Sequence, residues 1–97
     1  MAGLLKDVSR DFDERMALRR RMLAHLDIEL SEEATLEHRA DLRATLVGCA
    51  HCRGKEECEL WLKWCRPGVP DTCLAGDAFL RLKAVSEQEG SAPYRFR

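Results

Sequence analysis

Five cysteines stand in a chain of 97 residues, and four of them, Cys49, Cys52, Cys58 and Cys73, form the pattern C-x2-C-x5-C-x14-C, with Cys65 between the last two. Two thiols three residues apart at a helix end can face one centre from a single turn. A third approaches from the next helix, and the loop Arg66-Pro67-Gly68-Val69-Pro70 folds the fourth back towards them. Four thiolates bind either zinc or an iron–sulfur cluster. Structural zinc takes its ligands as two close pairs, whereas cubane clusters commonly take several local cysteines and one remote one. Only one pair is close here, so the spacing favours an iron–sulfur cluster over zinc. A disulfide or redox dithiol, and free buried thiols acting as small hydrophobes, remain the competing readings.

The remaining reactive residues offer less. A covalent c-type haem needs histidine directly after C-x-x-C, where this chain has Arg53, and a thioredoxin-like site needs a preceding strand. His51 lies inside the close pair and is a zinc ligand only if it replaces a cysteine; an exposed loop histidine is the plainer reading. His25 and His38 have no partners at useful spacing. No cysteine–histidine pair marks a hydrolase, so no catalytic residue is assigned and a non-enzyme is expected.

Sixteen Lys+Arg against seventeen Asp+Glu leave a net charge of -1, which argues against a nucleic-acid or anionic-membrane coat. Arg19, Arg20 and Arg21 end a helix whose acids come early, and this sorting suits the macrodipole. The first residues lack the basic and apolar regions of an export signal, and no apolar run approaches the roughly 20 residues of a membrane span. The expected setting is cytoplasmic, where clustered cysteines are ligands or redox thiols more often than disulfides. A protein partner is expected, and no membrane.

These residues must be positioned by helices, because no segment alternates with the two-residue period of a strand. The reading is an all-α bundle of about four helices in one domain over residues 1–85, stapled by the four-cysteine site, with a flexible tail over 86–97. The first helix spans residues 4–26 with Leu5, Val8, Phe12, Met16, Leu23 and Leu26 inward. Ser31 caps a second that runs to Gly48, with His38 as the position where it could break. The third carries Cys58, Trp61, Leu62 and Cys65 on one inward face, with Cys65 a packing thiol. Trp64 falls off that face, either as an exposed interaction anchor or packed on the first helix or the tail. Asp71 or Thr72 caps the fourth, which buries Ala75, Ala78, Phe79, Leu82 and Val85, so that Cys58 and Cys73 both lie near helix N-termini. Tyr94-Arg95-Phe96-Arg97 reads as a docking peptide or a disordered end.

Cys49, Cys52, Cys58, Trp61-Leu62 and Cys73, with Ala40-Asp41-Leu42-Arg43 before them and Ala78-Phe79-Leu80 after, resemble a family of small proteobacterial proteins of unknown function, domain-of-unknown-function family 6455. The similarity covers about residues 15–85. It implies that the four cysteines act together and that Cys65 is an extra. No activity comes with it, and the Pro-Asn that often follows the family's last cysteine is Leu74-Ala75 here.

Overall fold

A computed structural model describes residues 2–90, with side chains over 9–89. Five helices follow one another, α1 (Ala2–His25), α2 (Glu32–Glu37), α3 (Arg39–Ala50), α4 (Lys55–Lys63) and α5 (Gly76–Gly90), and no strand is present among the described residues. None of these helices is long and apolar enough to cross a membrane. The fold is all-α, with five helices where about four were expected. The added one arises at His38, whose φ of -109° and ψ of 25° break the second helix in two. His38 ends α2 by donating its N–H to Ala34 O and starts α3 by accepting from Asp41 and Leu42. Ser31 caps α2 as the sequence indicates, its hydroxyl accepting from the Ala34 amide at 3.1 Å.

The core lies where α3 packs on both α1 and α5 while α1 also meets α4. Phe79, Leu82 and Met22 are fully buried there, with Leu18, Leu26, Leu62, Ala75 and Ala78 around them. The inward face of α1 matches the one expected at its end, where Leu26 is buried and Leu23 packs against the core, and differs from it earlier. Leu18, Met22 and Leu26 form its buried stripe at four-residue steps, while Phe12 remains 47% exposed and Met16 half-buried. The side chains of Leu5 and Val8 lie outside the described ones.

Two helices end in the same device, and the second of them moves a cysteine. After α1, Ile28 N–H bonds to Leu23 O and Asp27 N–H to Ala24 O, with Asp27 at φ 57°. After α4, Arg66 N–H bonds to Trp61 O and Cys65 N–H to Leu62 O, with Cys65 at φ 51°. Both are Schellman caps, which place one residue in the left-handed region. The expected inward position of Cys65 is therefore corrected: α4 stops before it, and the cap turns it out to solvent. A side chain in that region is strained where glycine is not. Cys65→Gly is accordingly expected to raise unfolding free energy by about 0.5 to 1 kcal/mol in urea titrations, after the greater chain entropy of glycine offsets part of the gain.

The last helix also begins and ends elsewhere than expected. It starts at Gly76, because the Thr72 hydroxyl is engaged by Glu57 Oε2 at 2.8 Å instead of capping a helix. Cys73 thus lies in a turn ahead of α5, not in its first turn. At the far end α5 runs past Val85 to Gly90, so the boundary of the tail at Ser86 is displaced. Buried Ser86 accepts from Glu29 N–H at 2.8 Å and lies 3.0 and 3.2 Å from the Glu29 and Asp27 carbonyls, while Glu89 holds the Ser31 amide and hydroxyl. The 94–97 segment lies outside the described residues.

Candidate metal centre

Cys49 closes α3, Cys52 follows in the turn, Cys58 stands one turn into α4, and Cys73 lies in the turn before α5; all four line one cavity of about 30 Å³. That is room for about two water molecules. All four thiols are free and half-buried, whereas Cys65 is exposed and does not line the cavity. The sequence reasoning separated the same four from Cys65, although it gave Cys65 a buried place.

Four local features bring the cysteines together. Gly48 lets the end of α3 approach the turn carrying Cys73, since a Cβ there would stand 2.7 Å from Ala75 Cβ and 3.0 Å from Ala75 N. The Cys52 N–H bonds back to Cys49 O at 3.3 Å and closes the turn between the paired thiols. Trp61 donates its indole N–H to Gly68 O at 2.9 Å and carries the Arg66 guanidinium over its ring, which draws the proline loop back along α4. Glu57 and Thr72 join α4 to the turn that holds Cys73.

The electrostatics are those of buried thiols close to one another. Burial pushes the Cys49 thiol up to about 12, with the neighbouring Cys73, Cys58 and Cys52 adding repulsion and Arg19 opposing it. Burial likewise pushes Cys58 up to about 11, and it raises Cys73. The Ala75 amide bonds to Cys73 and opposes the rise there, and the Gly54 N–H donates to Cys52 Sγ at 3.3 Å. An N–H aimed at sulfur favours the charged form a ligand needs. No Asp or Glu side chain lines the cavity, while Arg15 and Lys55 stand at its wall.

The donor set fits a thiophilic centre. Among the described residues, however, no group of three His, Cys, Asp or Glu side chains is disposed to hold a metal ion. Tetrahedral zinc needs sulfurs about 3.8 Å apart, given Zn–S bonds of about 2.3 Å. His51 is exposed on a shallow cleft beside Arg53 and Leu74, outside the four-thiol cavity. His25 has a partner that sequence spacing did not reveal, the Arg66 carbonyl at 2.5 Å from Nε2. Trp64 is 70% exposed, with the Lys63 ammonium 5.9 Å from its ring.

Sequence reasoning missed Arg15. Its guanidinium donates to the Cys52 carbonyl and to Asp11 Oδ2, and it lines the cavity with Leu18 and Met22 of the same helix. No curated protein and no solved structure matches the chain. The model of the Family of unknown function (DUF6455) matches residues 7–85, so the similarity takes in α1 with Arg15 as well as the cysteine segment, and the chain belongs to that family.

Proposed function

We propose that the protein is a small accessory, sensing or interaction module organised by a metal centre on Cys49, Cys52, Cys58 and Cys73. The observation that carries this reading is the gathering of four thiols from separate turns and helices around one cavity free of carboxylates. Soft thiolates select zinc and iron–sulfur clusters over the hard cations that oxygen ligands prefer. An iron–sulfur cluster is the first choice, supported by three local ligands with one remote. Structural zinc is the second, favoured by the small volume of the cavity.

Bound at these thiolates, a cluster would supply one-electron chemistry and sensitivity to oxidants, and zinc would supply a cross-link. In either case Cys49 would hold from the end of α3, Cys52 from the turn after it, Cys58 from α4 and Cys73 from the turn before α5. Gly54 and Ala75 amides support the charge on sulfur. Protein purified without oxygen is expected to contain iron with matching sulfide and a broad visible absorption; one zinc per chain without colour would select the second choice. Chains with neither, whose four thiols titrate as free, would overturn the reading, and disulfides among these cysteines would replace it with thiol redox exchange.

A further inference from the structure

We infer that Arg15 is a positioning residue that latches α1 over the four thiols, so that this helix is the wall controlling what enters and leaves the site. The inference rests on the proposed centre for the identity of the occupant but not for the latch itself. Arg15, Leu18 and Met22 of α1 all line the cavity, Leu18 and Met22 being buried. The Arg15 guanidinium reaches across to the Cys52 carbonyl, 37 residues away, while its Nε holds Asp11 Oδ2 at 2.8 Å. Asp11 in turn lies 3.4 Å from Lys55 Nζ, which pairs with Glu14 at 2.6 Å. Helix α1 is thus fastened by charge to both the turn between Cys49 and Cys52 and the first residue of α4.

The two attachments differ in what they do. Lys55 with Asp11 and Glu14 is a half-exposed network of the kind that salt weakens. Arg15 acts on the backbone of a cysteine in the site, through a charge-assisted hydrogen bond. Its removal frees the Cys52 carbonyl and opens the α1 side of the cavity. Exchange at the thiols, by a chelator, an oxidant or a donor of metal, should then quicken without loss of any ligand.

The test uses the full chain with Arg15→Gln, Lys55→Met and, as a surface control, Arg20→Gln. In chelated, reduced protein, N-ethylmaleimide is expected to label Cys49, Cys52, Cys58 and Cys73 about tenfold faster in Arg15→Gln than in the unaltered protein, the scale of one lost charge-assisted bond. Exposed Cys65 serves as the internal reference and keeps its rate. In metal-loaded protein the starting content is expected to be unchanged and chelator extraction about tenfold faster. Lys55→Met is expected to quicken both less, and Arg20→Gln neither. If Arg15→Gln loses helical content, Arg15→Lys, which keeps the charge but not the planar fork, decides on the same two rates. Rates equal to those of the unaltered protein would overturn the latch even if metal is bound, whereas faster labelling in a protein that takes up no metal would sustain the latch and overturn the centre.

Discussion

Serine in place of Cys49, Cys52, Cys58 or Cys73 is expected to weaken metal retention at least about tenfold in each case, and Cys65→Ser is expected to leave it unchanged. The hydroxyl of serine is harder and far less acidic than a thiol, so it offers neither the charge nor the polarisability that a thiophilic centre takes from its ligands. The geometry separates the two groups. Four thiols face one cavity, whereas Cys65 lies beyond α4 in a left-handed cap position and is exposed. Metal content after desalting checks the series. Loss of metal from Cys65→Ser with retention in Cys73→Ser would mean that a different set of four holds the centre.

Gly48→Val is expected to cost about 3 kcal/mol of stability, at the upper end of overpacking effects. A Cβ at this position would come within 2.7 Å of the Ala75 Cβ and 3.1 Å of its Cα, so part of the obstacle is backbone that cannot rotate aside. The helical propensity gained on leaving glycine is smaller, no more than about 1 kcal/mol. The clash falls between Cys49 and Cys73, so relief by displacement separates two proposed ligands. Urea unfolding is expected to show the loss, and Ala75→Gly in the same chain is expected to restore part of it by removing the facing methyl group. Full stability in the single variant would show that α3 and the turn at Ala75 do not approach as described.

How much of this was legible beforehand depends on whether the signal was local. Ser31 as a cap, His38 as a weak point and the buried face of α5 at Ala75, Ala78, Phe79 and Leu82 are all readable, because capping and helical spacing act within a few residues. The face of α1 was readable only at its end, in Leu23 and Leu26. Its apolar residues occur at several phases, and the docking of α3 and α4 selects Leu18 and Met22 over Phe12 and Met16. Chain ends of helices failed for a related reason. Thr72 is a sound cap by type, yet Glu57 from another helix takes its hydroxyl, and Cys65 fits the inward spacing of α4 but falls after a cap that the sequence marks with no glycine.

The candidate site divides the same way. The separation of four cysteines from the fifth was visible in their spacing, since a turn and a proline loop constrain where thiols can meet. Arg15 was not, because its partner is a backbone carbonyl 37 residues distant and a carbonyl has no sequence signature. Charge sorting along α1 gave no signal either, because Lys6 and Arg10 stand among the same early acids as Arg15.

The mass of the intact protein, measured under native conditions after purification without oxygen, tests the central claim most directly when paired with a count of reactive thiols. The account predicts a native mass greater than that of the chain by a metal centre, lost on denaturation, with Cys65 alone alkylated rapidly before denaturation and all five cysteines after it. A native mass equal to the bare chain, with Cys49, Cys52, Cys58 and Cys73 free or joined in disulfides, would contradict it.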